Sequence, residues 1–562
     1  MRLLSGLSRA ALAALLLLGA CAGDRAPPEV GTPAPVVVVA DVPEVGTGTP
    51  EVGALAPEVS ALAPPVDAVA PAAPPIVDAA VVDLVDQLEQ DHEPAAAVSP
   101  PALVTADLGA LRAAMATRPA GAAVGHLVLD LESGQELAAF GADLPLIPAS
   151  TTKLATAVVA LDVLGPEHRF RTELLSGGLV RNGVLEGDLI LRGDGDPTLD
   201  VADLLELAVR LATSGIRRVD GRFVIDDTAL PLLSEIEPTQ PLEAGYNPGV
   251  GALSLAFNRV ELTWRGGGRL AAATLPPLDE AHFERAPAAG LPESGVELKS
   301  AGEDAVVWRV ADRGRFQQAA LPVKDPGLHA GRVFRRLALA HGILLDPPER
   351  GAAPGVAGLL AVHESPPLRQ LVRDMLLYSN NLMAELIGLA TAQRLGNRSS
   401  DLATAGALLV RHLARLIPEV DWRGAVLGNH SGLDGSARLT PRQLAAVVRY
   451  GWHSVALPAL LPGSGWSGTL INRFERPGEA LRVWAKTGSV NYGSALAGYL
   501  FLVSDRPAVF VTMISDAGAR AAYDALPRPD RAAEAAARVW NARARALQDA
   551  LVEAWLEPVP TS

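Results

Sequence analysis

The sequence predicts an α/β (α+β) fold, a central antiparallel sheet flanked by helices and interrupted by a β-rich insertion. Three observations carry this. A strand pattern at 126–131 precedes an apolar helical run at 150–164; short strands and Gly-rich turns fill 170–322; helical runs then give way to three apolar strands and a closing helix.

The elements follow in order. Residues 1–20 carry Arg2 and Arg9 around an apolar run from Ala10 to Leu18 that is too short to span a bilayer, and they read as an export signal peptide. Leu18-Gly19-Ala20-Cys21 closes that run and resembles the lipobox of bacterial lipoproteins, with Cys21, the one cysteine of the chain, as the lipidation site. The expectation is a membrane contact through a lipid anchor. Residues 21–102 read as a lipid-anchored, Pro/Ala-rich disordered linker, because 14 of the 45 prolines fall within 21–100 and deny both helix and sheet continuity. That stretch also holds 13 acidic residues against one Arg, and so most of the net charge of −15. The net charge of −15 argues against a nucleic-acid partner recognised through its phosphates; residues 101–562 sum to only −5, from 45 basic and 50 acidic side chains, so overall acidity says little about the folded part.

The folded part begins near residue 103. Leu108 to Met115 reads as a short helix, and His126 to Leu131 as a strand that turns at Ser133-Gly134 into a hairpin partner, Gln135 to Phe140. Ser150 to Leu164 is a mostly buried helix stopped by Gly165-Pro166. The β-rich insertion covers 170–322, with one helix near Leu199 to Leu211, and it divides a domain made of 103–169 and 323–562. Helical periodicity returns at Asp325-Pro326. Leu368, Val372, Met375, Leu376, Leu382, Met383 and Leu386 describe one long amphipathic helix or two abutting ones. Helices at 401–416 and 441–450, strands at 481–485, 495–503 and 508–515, and a helix over 532–555 complete the chain.

Only four of the 48 basic residues are Lys: Lys153, Lys299, Lys324 and Lys486. Where any positive charge would serve, this sequence uses Arg, which singles out the lysines, since an amine can lose its proton and a guanidinium cannot. Ser150-Thr151-Thr152-Lys153 sets a hydroxyl and an amine three residues apart at a helix start, on one face. Burial there would free the amine as a base for Ser150, and the helix start would aim N–H groups at a developing oxyanion. Ser379-Asn380-Asn381 and Lys486-Thr487-Gly488-Ser489 follow along the chain, the latter directly after a strand. Each motif alone is common; the three in this order are not.

Together they resemble the motifs of penicillin-binding proteins and serine β-lactamases. Ser150 and Ser379 lie 229 residues apart, and Ser379 and Lys486 lie 107 apart. That spacing, with Arg192-Gly193-Asp194-Gly195-Asp196-Pro197 early in the gap, resembles the D-alanyl-D-alanine carboxypeptidase/endopeptidases of peptidase family S13, the class C low-molecular-mass penicillin-binding proteins. Ser365-Pro366-Pro367-Leu368, Tyr378 to Glu385, His430-Ser431-Gly432-Leu433, Gly468-Thr469-Leu470 and Leu496-Ala497-Gly498-Tyr499 fit the same family over roughly 105–545. Asn380 stands where Asp is commoner, and Asn429-His430 where the family often has Asp-Gly.

The resemblance implies a penicillin-binding transpeptidase-like domain in the bacterial cell envelope, acting on peptidoglycan stem peptides and cross-links and acylated by β-lactam antibiotics. By the family's pattern Ser150 attacks the penultimate D-Ala carbonyl, Lys153 takes its proton, and Ser379 relays a proton to the leaving amine near Lys486, whose positive charge also helps depress Lys153. Asn381 binds the substrate amide, Thr487 and Ser489 the terminal carboxylate, and the N–H groups of Ser150 and Ser489 form the oxyanion hole, with Gly488 between. No cofactor is implied, and the ten His residues show no metal-ligand spacing. Asp196 is carried as a substrate contact from the insertion. Two other readings stay open: a serine β-lactamase, and a catalytically inactive cell-wall-binding lipoprotein that keeps the pocket.

Overall fold

The computed structural model describes residues 108–556 apart from 266–270, 278–280, 292–294, 302–305, 314–315, 397–400, 477, 503–505 and 527–528. The chain separates into two units, 1–95 and 96–562, and the described residues belong to the second. The export segment, Cys21 and the linker lie outside them.

In chain order the elements are α1 (Leu108–Ala116), β1 (Ala123–Asp130), β2 (Glu136–Phe140), α2 (Thr152–Leu164), β3 (Arg171–Ser176), β4 (Leu179–Arg181), β5 (Val184–Glu186), β6 (Leu189–Gly193), α3 (Val201–Thr213), β7 (Arg218–Val219) and β8 (Phe223–Asp226). Next come β9 (Arg259–Arg265), β10 (Ala271–Leu275), β11 (Ala281–Ala286), β12 (Val296–Ala301), β13 (Val306–Ala311), β14 (Phe316–Pro322), α4 (Pro326–Ala340), β15 (Pro348–Arg350) and β16 (Gly358–Glu364). The chain continues through α5 (Leu368–Tyr378), α6 (Asn381–Arg394), α7 (Leu402–Leu416), α8 (Pro441–Val455), β17 (Val483–Val490), β18 (Gly493–Phe501), β19 (Pro507–Ser515), α9 (Ala517–Asp524) and α10 (Arg531–Leu556).

The central sheet has the order β17-β18-β19-β1-β2 and is antiparallel throughout. Strand alternation sends its two faces to different helices. Along β19, Val509, Val511 and Met513 join a core with α2 and α8, whereas Phe510 and Ile514 face Trp540, Leu547 and Trp555 of α10. On the α10 side, His126 faces Thr512 across the β1–β19 ladder, Nδ1 lying 2.8 Å from its Oγ1, and Trp555 Nε1 donates to His126 Nε2 at 3.3 Å.

The insertion does not end at 322. Its five-stranded sheet runs β15-β8-β6-β3-β16, so two strands from beyond the expected boundary complete it. The physical reason is burial: the apolar stripe of α4 (Ala330, Val333, Phe334) closes over Leu174, Leu191 and Phe223, and Ala361 of β16 joins that core. The change from strand to helix near 323 marks a change of element within the insertion. The chain returns at Ser365, whose N–H donates to Phe170 O and whose Oγ accepts from Phe170 N, tying exit to entry. A smaller lobe of two three-stranded sheets, β10-β9-β14 and β11-β13-β12, packs around Trp264 and Trp308. The stretch 230–252 seats Leu230, Ile236, Val250 and Ala252 on Leu382, Leu386 and Leu389 of α6.

Three local readings sharpen. The amphipathic run over 368–386 is two helices, because Ser379 adopts a left-handed conformation at φ 55°. Lys486 to Ser489 lie inside β17 rather than after it. Helix α9 had no clear sequence signal. Among the described residues no helix is long and apolar enough to cross a membrane.

Candidate active site

A 3-10 turn, Ala149–Thr151, leads into α2 and carries the candidate nucleophile. It is pinned on several sides. Thr151 Oγ1 donates to Pro148 O at 2.6 Å, and Ala149 is held at φ 47°, outside ordinary non-glycine space. Gly432 packs so closely that a Cβ there would fall 1.9 Å from Ala149 O. Lys153, three residues after Ser150, is fully buried, and its Nζ lies 3.0 Å from Ser150 Oγ.

Two further groups hold that amine: Nζ donates to Asn381 Oδ1 and to Ser431 O, each at 2.8 Å. Both are acceptor-only oxygens. In the neutral amine they use the two N–H bonds, which turns the lone pair toward Ser150. Burial lowers Lys153 from 10.5 to about 7, and the negative charge of Glu385 works against that shift.

Asn381 is fixed by its helix and by the insertion. Ser379 breaks the chain, Asn380 caps α6 by accepting from Met383 N at 3.1 Å, and Asn381 starts the helix. The cap needs only a side-chain oxygen at 380, so Asn serves there as Asp would. Asn381 Nδ2 donates to Tyr246 O at 3.0 Å, which settles the orientation of the amide and brings the 230–252 stretch to the site. Ser379 is half-buried between the two helices.

Lys486, Thr487, Gly488 and Ser489 lie on β17, an edge strand of the central sheet. Val483 N and Ala485 N point away from β18 and are taken up by Ser464 Oγ and Pro462 O. By the same alternation Thr487 and Ser489 turn their N–H groups to the open edge, where neither has a partner among the described residues. Gly488 faces the nucleophile turn: a Cβ on it would lie 2.8 Å from Pro148 O and 3.0 Å from Ser150 N. Thr487 is half-buried and Ser489 exposed.

Lys486 shares the Gly488 side and donates to Thr487 O at 2.6 Å. It was expected to stay charged and so depress Lys153. Instead it is itself fully buried, and both burial and the neighbouring Lys153 lower it well below the ordinary lysine range. Two buried amines so placed cannot both carry a proton cheaply.

Asp196, expected as a substrate contact, is 1% exposed; it accepts from Thr198 N and Oγ1, both at 2.8 Å, and pairs with His363 Nε2 at 3.4 Å. Its observed partners are all within the insertion. Among the described residues no group of His, Cys, Asp and Glu is placed to hold a metal ion.

The sequence reading places Glu385 and His430-Ser431 in segments that fit the family but gives neither a role. Glu385 is fully buried one turn after Asn381, and its carboxylate accepts from His430 N and Ser431 N, each at 2.9 Å. Its one legible signal was a carboxylate inside the otherwise apolar run Leu382 to Ala390.

Ser150 and Lys153 thus lie together with Asn381, and the strand that carries Gly488 faces their turn. The model of the D-Ala-D-Ala carboxypeptidase 3 (S13) family matches residues 108–535. The chain belongs to the S13 family. It is therefore a hydrolase of the S13 carboxypeptidase type. Among S13 relatives it is similar to the D-alanyl-D-alanine carboxypeptidase of Actinomadura sp. (strain R39), 29% identical over 415 residues that cover 68% of this chain and 75% of the relative. It is also similar to carboxypeptidase Rv3627c of Mycobacterium tuberculosis, 32% identical over 472 residues, covering 81% and 87%. The crystal structure of penicillin binding protein 4 (dacB) from Haemophilus influenzae shares the fold, with a TM-score of 0.66 at 23% identity over 79% of this chain and 99% of that one.

Proposed function

We propose that the chain is a serine-type D-Ala-D-Ala carboxypeptidase, with DD-endopeptidase capacity, that cleaves peptidoglycan stem peptides through an acyl-enzyme on Ser150 and is acylated there by β-lactams. The observation that carries this is the 3.0 Å contact of Lys153 Nζ with Ser150 Oγ, the amine being buried and held by two acceptor-only oxygens.

Ser150 Oγ attacks the penultimate D-Ala carbonyl while Lys153 takes its proton. The oxyanion forms opposite the N–H groups of Ser150 and Ser489. Ser379 passes a proton to the leaving amine as the C–N bond breaks, and water then hydrolyses the ester. Asn381 holds the substrate amide, and Thr487 and Ser489 meet the terminal carboxylate. An anion there favours the protonated form of Lys486, opposing the burial and the Lys153 charge that lower it.

The reading extends to an exported enzyme of the bacterial cell envelope, with 1–20 removed and Cys21 lipidated; the sequence alone supports this part. Loss of labelled fatty acid incorporation in Cys21→Ser tests it.

Labelled penicillin should form one stable adduct at Ser150, absent in Ser150→Ala. Purified muropeptides should lose a terminal alanine, or cross-linked dimers should split. Penicillin hydrolysed in large excess over enzyme would mark a β-lactamase instead, and no change in any substrate would leave only a binding protein.

A further inference from the structure

Lys153 is surrounded by a clamp of which the three motifs contain only Asn381. Glu385 and Asn381 are four residues apart on α6 and share a face. Asn381 reaches Lys153 directly, while Glu385 spends both oxygens on the consecutive N–H groups of His430 and Ser431. The carbonyl of that same Ser431 receives Lys153 Nζ. The carbonyl of His430 receives Thr156 Oγ1 at 2.8 Å, one turn along α2 from Lys153. Two contacts therefore tie the 429–432 loop to α2, and one carboxylate ties it to α6. Asn429 Oδ1 accepts from Gly432 N at 2.8 Å and closes the loop on itself.

We propose that Glu385 is the positioning residue of the catalytic amine: by gripping the His430–Ser431 backbone it aims the Ser431 carbonyl at Lys153, and by its charge it keeps that buried amine basic enough to serve. The proposal rests on the reading of Lys153 as the base for Ser150.

From α6 the titratable group is Glu385, from β17 it is Lys486, and from the loop it is His430. The His430 ring lies against Gly388, where a Cβ would sit 2.1 Å from its Cγ, and burial pushes it down to about 3, so it is neutral. Helices α5, α7 and α8 present Leu371, Val372, Leu409, Leu413, Leu444 and Val447 to the shared core. Asp162, at the far end of α2, is paired with His412 of α7. Against Lys153, then, burial disfavours a proton and Glu385 favours one. Burial in turn pushes Glu385 up, and its N–H donors and the Lys153 charge pull it back down. Without Glu385 the amine would lose its proton more easily and be a poorer base for the serine hydroxyl.

The test is the pH dependence of acylation by labelled penicillin, with thermal unfolding as the folding control. Glu385→Gln is expected to move the acid limb down by about one unit or more, because an opposite charge has been removed, and to lower the plateau roughly 10- to 100-fold, because the base is weaker and one N–H is left facing an amide NH₂. Glu385→Asp keeps the charge on a shorter arm: the limb stays and the plateau falls. Thr156→Val loosens the loop without touching charge, so it too lowers the plateau and leaves the limb in place. A folded Glu385→Gln with the wild-type limb overturns the proposal, as does Thr156→Val shifting the limb equally. If Glu385→Gln does not fold, an Asp variant with an unchanged plateau overturns it. A wild-type protein that takes no label at any pH would instead sink the acyl-enzyme reading itself.

Discussion

The α-carbon of Gly488 faces the backbone nitrogen of Ser150, and the Cβ it lacks would stand 3.0 Å from that atom and 2.8 Å from Pro148 O. One hydrogen in place of a methyl group lets the edge strand approach the nucleophile turn. Gly488→Ala must push strand and turn apart, and a misplacement of about 1 Å costs on the order of 100-fold in a positioned reaction. We expect penicillin acylation to fall by that order while the melting temperature drops only slightly. An Ala variant that acylates at the wild-type rate would mean the strand does not set the serine's place.

Lys153→Arg should be more damaging than its charge conservation implies. Guanidinium does not give up its proton and is too large for a fully buried amine site. Loss of at least about 1,000-fold in acylation is expected, read as the second-order rate constant with labelled penicillin. Appreciable activity in this variant would assign the base elsewhere.

For the unaltered enzyme, burial lowers Lys153 to about 7. The neutral fraction, and with it the acylation rate, should rise through pH 7 and level off above. An acid limb near the ordinary lysine value of 10.5 would show an amine that is solvated in solution.

His126 offers a prediction about stability. Trp555 donates to its Nε2, so the ring proton sits on Nδ1 and faces Thr512 Oγ1; a second proton would set two donors against each other. Burial accordingly pushes His126 down from 6.5 to about 4. A folded-state pKa depressed in this way stabilises the protein fully above 6.5, and that contribution is withdrawn as the pH falls toward 4. It amounts to about 3 kcal/mol. Melting temperature measured between pH 7 and 4 should fall, and less steeply in His126→Gln. Equal slopes would place the acid sensitivity in other groups, His430 among them.

How much of this could be read from the chain depends on what each residue touches. Ser150 and Lys153 were legible because three residues on a helix is a geometric statement, and the break between α5 and α6 was half legible because Ser-Asn-Asn favours a cap as much as a continuation. The role of Glu385 was illegible because its partners are backbone N–H groups 45 and 46 residues away, which no side-chain motif announces. The far limit of the insertion was misread because β16 pairs with β3 across nearly two hundred residues, and local periodicity carries no record of such a partner. The burial of Lys486 was illegible for a related reason. Strand alternation tells which side a lysine faces, and only the packing of the nucleophile turn over that side tells how dry it is.

The edge of β17 is half shut. Ser464 and Pro462 occupy its outward N–H groups at Val483 and Ala485, and those of Thr487 and Ser489 have no partner among the described residues. What is left is about as long as a dipeptide tail, so an extended guest is gauged for length before any chemistry begins: the two residues at its end can lie along the strand, and a chain running on toward Val483 meets backbone already in place. The same cover denies a second molecule the long unpaired border on which sheets join sheet to sheet.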